Sequence, residues 1–253
     1  MSKGIQREVR FNRFYRMIGK KGLERLEGAR VAVVGIGAVG SFAVEALARS
    51  GVGELQLVDF DHVEASNINR QLIALESTLG RKKVEVARER LLDINPECRV
   101  ETLVLKVEKV ADTEPIFKRE PEVILDAIDI LEGKVTLIAE ALRRGVTLYS
   151  SMGAARRQDP TQVRTGRLGE VTGCPMARNL RRRFKELGIE EKVFGVLECV
   201  YSREKALSSF SEEGIGHGMG DPIAKAPLPS SVAVTGVFGL CLGNLAIQKI
   251  LQA

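Results

Sequence analysis

Short runs of aliphatic and β-branched residues alternate along this chain with longer stretches whose apolar positions recur every three to four residues. The short runs predict strands: "ARVAVVG" (29–35), "ELQLVDFD" (54–61), "CRVETLVL" (98–105), "PEVILDAID" (121–129) and "VTLYSSMG" (146–153). The longer stretches predict helices: "AVGSFAVEALARSG" (38–51) closed by Gly51, "GRKKVEVARERLLDINP" (80–96) stopped before Pro96, and "LEGKVTLIAEALRRG" (131–145). Strands alternating with helices imply a parallel sheet with crossover helices. The expected fold class is therefore α/β, a doubly wound, mostly parallel, Rossmann-like sheet over about residues 28 to 153.

The remainder is less regular. "TQVRTGRL" and "VLECVYS" predict strands, and "MARNLRRRFKELG" predicts a helix with Leu180, Phe184 and Leu187 on one side. Residues 208–231, rich in Gly, Ser and Pro, read as a loop. Residues 231–251 form an apolar run near the length that spans a bilayer. Asn244, Gln248 and Lys249 interrupt it and glycines 236, 239 and 243 thin it, which favours a buried or interface helix, with no stable membrane insertion expected. The division expected from this pattern is an N-terminal helical segment (1–27), a nucleotide-binding unit (28–155) and a smaller irregular C-terminal portion (156–253).

Composition narrows this little. The 253 residues are 44% hydrophobic and 28% charged, an ordinary soluble mix, and the net charge of +5 permits a nucleic-acid partner without requiring one. Aromatics make up 5% and Trp is absent, which argues against a platform that stacks many bases. The four cysteines, Cys98, Cys174, Cys199 and Cys241, include no C-x-x-C pair, so a structural zinc site of that kind is not supported. No signal peptide pattern opens the chain, and free thiols in a reducing cytoplasm are the simplest expectation.

The chemistry begins at "VAVVGIGAVGS", a G-x-G-x-x-G run with Gly35, Gly37 and Gly40 between a strand and a helix. Such glycines let the backbone turn tightly beside phosphates, and the helix that follows offers its N-terminus to negative charge. Asp59 closes the second strand where a ribose-binding carboxylate belongs. These features alone leave NAD and ATP open. Downstream stand Asp61, Asn67, Asn69 and Arg70, then Lys82 and Lys83, then Asp126 and Asp129. Hydride transfer needs none of this set; cations and an acid gathered at strand ends suit a triphosphate with Mg²⁺.

The ordered set "GIGAVGS…LVDFDHVEASNINRQ…GRKKVEVA…INPE…ILDAID" resembles the ThiF/MoeB/HesA family, adenylating relatives of ubiquitin-activating enzyme, over roughly residues 10 to 155. The resemblance implies binding of ATP and Mg²⁺ and conversion of a carboxylate to an acyl-adenylate with release of pyrophosphate. It implies that Gly35, Gly37 and Gly40 form the phosphate loop, that Asp59, with Asp61 beside it, holds the ribose end, and that Asn67 and Arg70 contact phosphates. By the same resemblance Lys83 sits at the α-phosphate, with Lys82 on the surface, and Asp129 coordinates the metal. "RFYRMIG" falls where the family keeps an arginine finger that crosses a homodimer, with Arg16 the best candidate and Arg13 second.

Two departures narrow the subfamily. Activators of sulfur carriers usually bring paired C-x-x-C motifs, absent here, so no zinc is expected. They often place Asn or Ser after the magnesium aspartate, where this chain has Ile130. "GAARRQDPTQVRTGRL", "LECVYSREKAL" and the terminal apolar helix are similar to the branch that dehydrates threonylcarbamoyladenosine in tRNA. The resemblance then implies a tRNA partner and leaves room for a sulfur-transfer protein. Arg178, Arg181, Arg182, Arg183 and Lys185 on one helix, and Arg156 with Arg157, are candidates to grip tRNA phosphates. Cys199 reads as a buried thiol rather than a nucleophile, because the substrate itself can supply the attacking atom. Adenylation of a ubiquitin-like sulfur carrier and an NAD-binding oxidoreductase or redox sensor remain the alternatives.

Overall fold

In a computed structural model that describes residues 7–207 and 228–252, the expected strands form one seven-stranded sheet. They are β1 (Arg30–Val34), β2 (Glu54–Val58), β3 (Arg99–Leu103), β4 (Val123–Asp126), β5 (Thr147–Ser151), β6 (Val163–Arg167) and β7 (Glu198–Ser202), in the order β3-β2-β1-β4-β5-β7-β6. All neighbours are parallel except β6, which runs antiparallel along β7 at the edge. The family of short aliphatic runs explains this: a parallel strand is covered on both faces and needs apolar side chains on both. Val31 and Val33 of β1 point into one buried cluster, Ala32 and Val34 into the other.

Helices cover both faces. Alongside the first cluster lie α3 (Gly40–Arg49), α4 (Lys83–Ile94) and α9 (Val232–Gln252); alongside the second lie α5 (Val110–Phe117), α6 (Leu131–Arg144), α7 (Pro175–Glu186) and α8 (Glu190–Phe194). The N-terminal α1 (Arg7–Arg10) leads into α2 (Asn12–Gly28), which is kinked at Gly19 (φ 68°). Helices α5 and α8 have no counterpart in the sequence pattern. The first holds Pro115 and the second spans five residues, both too weak for a periodic signal.

The C-terminal residues are more regular than their pattern suggested. β7 lies against β5 and extends the same sheet, so β6, β7 and α7–α9 share its core. Helix α9 has the length and composition to cross a membrane, but it packs on α3. A Cβ at Gly239 would lie 2.3 Å from the Val39 carbonyl oxygen, and one at Gly243 3.0 Å from that of Ala43. The glycines that thin the apolar run thus let two backbones meet. Phe238, Leu242 and Ala246 are buried in the first cluster, each large apolar side chain contributing roughly 2 kcal/mol. Most of the Gly/Ser/Pro-rich stretch, residues 208–227, lies outside the described residues; 228–231 run without regular structure into α9.

Candidate active site

Strand order reverses between β1 and β4, and ligands of open α/β sheets bind beyond the carboxyl ends of strands at such a point. A cavity of about 640 Å³ lies there. Its walls come from the turn after β1 (Gly35, Gly37–Val39), the end of β2 (Asp59–Asp61), Arg70–Gln71, Lys83, Leu105–Val107, the segment after β4 (Ala127–Ile130) and the end of β5 (Ser151–Ala155). Met176, Leu228, Ser230 and Thr235 close the far side.

The three glycines act differently. Gly35 has φ +92°, and a Cβ there would lie 2.7 Å from the Ala127 carbonyl oxygen. A Cβ at Gly40 would lie 1.7 Å from the Gly35 carbonyl oxygen, so Gly40 lets α3 start against the turn and does not itself line the cavity. At Gly37 the nearest atom is the Gln71 Nε2, 3.9 Å away, which leaves open space. With Gly37, Ala38 and Val39 on the wall, the N-terminus of α3 opens onto the cavity with its partial positive charge.

Around this turn the titratable groups are fixed by short bonds. Asp59, 8% exposed, accepts from the amide of Ile36 at 2.6 Å and from that of Asp61 at 2.8 Å. Burial raises its carboxyl above the ordinary value, opposed by those amides and by the charge of Lys83. Lys83, the first residue of α4, is 5% exposed and donates through Nζ to Asp61 at 2.8 Å. Arg70 donates to the Ser66 carbonyl at 2.6 Å and to the Asn69 side chain at 3.1 Å. Asp129 is exposed on the cavity wall, whereas Asp126, three residues earlier, is fully buried and ion-paired with Lys134.

Seven residues singled out from the sequence therefore converge on this wall: Gly35, Gly37, Asp59, Asp61, Arg70, Lys83 and Asp129. Asn67 does not. It is buried, its Oδ1 accepts from the Glu64 amide at 3.2 Å, and it caps the turn that presents Arg70. Lys82 is on the surface, 3.5 Å from Glu85. Arg13 and Arg16 are exposed on α2, away from the cavity walls of their own chain.

The cationic candidates divide as well. Arg157 is not a surface residue: it is 2% exposed and donates to the carbonyls of Ala155 and Gly173. Arg181 donates to the carbonyls of Leu168 and Val171, and Arg183 is neutralised by Glu132, at 3.0 Å, and by Glu186. Arg157 and Arg181 brace loops at the C-terminal portion and Arg183 joins α7 to α6, partners that a basic run read alone does not reveal. Arg178 and Lys185 are exposed, Arg182 is exposed with Glu186 3.8 Å away, and Arg156 is half-buried with φ 63°.

Residues missed from the sequence include Gln71, 7% exposed on the wall, whose amide oxygen is buried with no partner among the described residues. A buried orphan of this kind asks for a ligand; its place beside Arg70 in "SNINRQ" was the available signal. Phe60 and Lys106 also line the cavity, the ammonium 5.5 Å from the ring centre. Cys199 is fully buried, and burial raises its thiol well above the ordinary value, so it carries no thiolate at neutral pH.

Among the described residues no three His, Cys, Asp or Glu side chains group to hold a metal by themselves. Mg²⁺ does not require such a cage, since one carboxylate with phosphate oxygens and water suffices, and Asp129 offers that carboxylate on the wall.

A doubly wound sheet with a glycine turn, a buried lysine and an arginine at its switch point marks a nucleotide-binding protein. The model of the ThiF family matches residues 11–253, and the chain belongs to that family. It is 39% identical over 248 residues to the tRNA threonylcarbamoyladenosine dehydratase of Bacillus subtilis, covering 96% of this chain and 94% of that one. The structure of the E. coli tRNA N6-threonylcarbamoyladenosine dehydratase TcdA in complex with AMP is similar with a TM-score of 0.86 at 33% identity, covering 97% of this chain and 95% of that one. Its complex with ATP gives 0.85. The molybdopterin-synthase adenylyltransferase of Haemophilus influenzae is 32% identical over a smaller share, 79% of this chain and 83% of that one.

Proposed function

We propose that this protein is an ATP-dependent tRNA threonylcarbamoyladenosine dehydratase. The observation that carries the reading is the likeness to such dehydratases across nearly the whole of both chains, C-terminal portion included. The likeness to a sulfur-carrier activator covers less of the chain.

In this reaction a threonyl carboxylate oxygen attacks the α-phosphorus of ATP, and the bond to pyrophosphate breaks. An atom of the same modified side chain then attacks the activated carbonyl, the ring closes and AMP leaves. The nucleoside loses one water overall. Because attacking and accepting groups both belong to the substrate, the protein's work is positioning and charge stabilisation. The glycine turn and the start of α3 cradle phosphates, and Asp59 receives the ribose hydroxyls. Lys83 and Arg70 meet the charge that builds on the phosphates, with Asp61 holding the Lys83 ammonium in place. Asp129 would hold Mg²⁺, which would offset phosphate charge.

The finer assignments follow the same reading. Residues 28–155 hold the nucleotide, and 156–253 bind tRNA and contribute to a homodimer. Exposed Met17 of α2 and Leu240 of α9 (80% and 48%) offer apolar area for that contact, and Arg16 serves the partner's site across it. A sulfur-transfer protein is a further partner, and the cytoplasm is the compartment in which tRNA is met.

The test is incubation with ATP, Mg²⁺ and tRNA bearing threonylcarbamoyladenosine, followed by mass spectrometry of the nucleosides. Loss of one water from that nucleoside is expected. An unchanged nucleoside, with AMP formed only when a carrier protein is added, would sink the reading in favour of the sulfur-carrier alternative. In the same assay, neutralising Arg178 and Arg182 together raises the KM for tRNA severalfold and lowers its salt dependence, while the KM for ATP stays put. An unaltered tRNA KM would place tRNA on another face.

A further inference from the structure

The first turn of α6 carries a lysine with no access to water. Lys134 is 0% exposed, as are Asp126 at the end of β4 and Ser150 near the end of β5. The Lys134 ammonium donates three bonds, to Asp126 Oδ2 at 2.6 Å, to Ser150 Oγ at 3.2 Å and to the Ser151 carbonyl at 3.0 Å. Ser150 Oγ donates in turn to Asp126 Oδ2 at 2.7 Å, and Asp126 Oδ1 accepts from the amide of Ile128 at 3.1 Å. Every donor of the ammonium is satisfied.

A buried ion pair is a poor source of stability, because desolvating two charges offsets their attraction, and apolar residues of similar volume often serve packing as well. What this pair touches gives it another use. Through Asp126 it fixes the amide of Ile128, in the segment Ala127–Ile130 that carries Asp129 and whose Ala127 carbonyl closes on Gly35. Through the Ser151 carbonyl it fixes the start of the opposite wall, Ser151–Ala155. The neighbouring Gly133 brings α6 against a third wall, since a Cβ there would lie 2.4 Å from the Val107 carbonyl oxygen. One dry ammonium thus sits where the phosphate turn, the Asp129 segment and the β5 wall are tied together.

We propose that Lys134, acting through Asp126 and Ser150, is a positioning residue for the nucleotide: it sets the spacing between the Asp129 segment and the β5 wall and so aligns ATP with the carboxylate that attacks it. It contacts neither substrate. Its effect is geometric, and misplacement of a reacting group by about 1 Å costs on the order of 100-fold in rate. This inference rests on the dehydratase reading for its rate assay only, since nucleotide affinity is measurable without tRNA.

The test uses the full chain in two variants. Lys134→Met combined with Asp126→Asn removes both charges, so no carboxylate is left unpaired in a dry site. Ser150→Ala keeps both charges and removes one hydroxyl. ATP affinity by calorimetry in Mg²⁺, kcat, the KM for ATP and thermal melting are measured on each. In the double variant kcat falls roughly 100-fold and ATP affinity weakens at a temperature where the protein is folded; in Ser150→Ala both move in the same direction by a few-fold. A merely structural pair would shift melting alone. Wild-type ATP affinity and kcat in folded double variant and Ser150→Ala alike would overturn the proposal, and if the double variant does not fold, Ser150→Ala decides alone. A wild-type protein that binds ATP but leaves tRNA unchanged would refute the dehydratase reading, and the calorimetric comparison would still judge Lys134.

Discussion

Lys83→Ala lowers kcat by roughly 100- to 1000-fold while the protein stays folded, the range for loss of one preorganised group aimed at developing charge. Lys83 is 5% exposed at the start of α4, on the wall of the cavity, with its ammonium 2.8 Å from Asp61. Its partner is the reason the fold tolerates the loss. The Asp61 side chain is 45% exposed, so water can solvate the carboxylate left behind, and the change in stability stays near 1 kcal/mol. Arg70→Ala is expected to behave alike, because its bonds to Ser66 and Asn69 hold a surface turn rather than the core. Turnover by mass spectrometry set beside the melting temperature makes the distinction. Near-normal kcat in either folded variant would remove that residue from the reaction.

Gly40→Ala produces the second large effect, this time on the fold. The added methyl would lie 1.7 Å from the carbonyl oxygen of Gly35, a backbone atom that cannot swing aside. Gly35 is itself pressed against Ala127, so relief on that side is blocked too. A loss of about 3 kcal/mol or more follows, a drop in melting temperature of roughly 10 °C for a chain of this size, with nucleotide binding lost. Gly37→Ala is the contrast. Its nearest neighbour is 3.9 Å away, so the variant melts near wild type, but its methyl enters the phosphate end of the cavity and weakens ATP binding. Equal stability of Gly40→Ala and Gly37→Ala would contradict the packing described for the turn.

These glycines show what a linear pattern can carry. Spacing alone marks all three as one motif, yet one relieves a contact with the Ala127 carbonyl just after β4, one seats α3 and one leaves room for a ligand. The basic residues show the limit more sharply. "RNLRRRFK" reads as one charged face, but Arg183 answers Glu132 of another helix and Arg181 answers two carbonyls, while Arg157 turns inward. Local sequence says which charges are present; their partners lie up to 51 positions away and are set by packing. Asn67 shows the same limit, since a polar side chain beside Arg70 can cap a turn, as it does here, as well as meet a phosphate.

By itself the sequence determined the alternation of strands and helices, the doubly wound class, the glycine turn and most of the charged residues on the cavity wall. Periodicity and the G-x-G-x-x-G spacing are local properties, enforced by backbone geometry within one strand–turn–helix unit. Only the tertiary structure decided that the C-terminal portion continues the same sheet, that the apolar helix is a cover for α3, and that Lys134, unmarked in an ordinary amphipathic helix, is locked between the ends of β4 and β5. Those outcomes depend on burial and on partners distant in sequence, and desolvation acts on the assembled core rather than on any stretch of the chain.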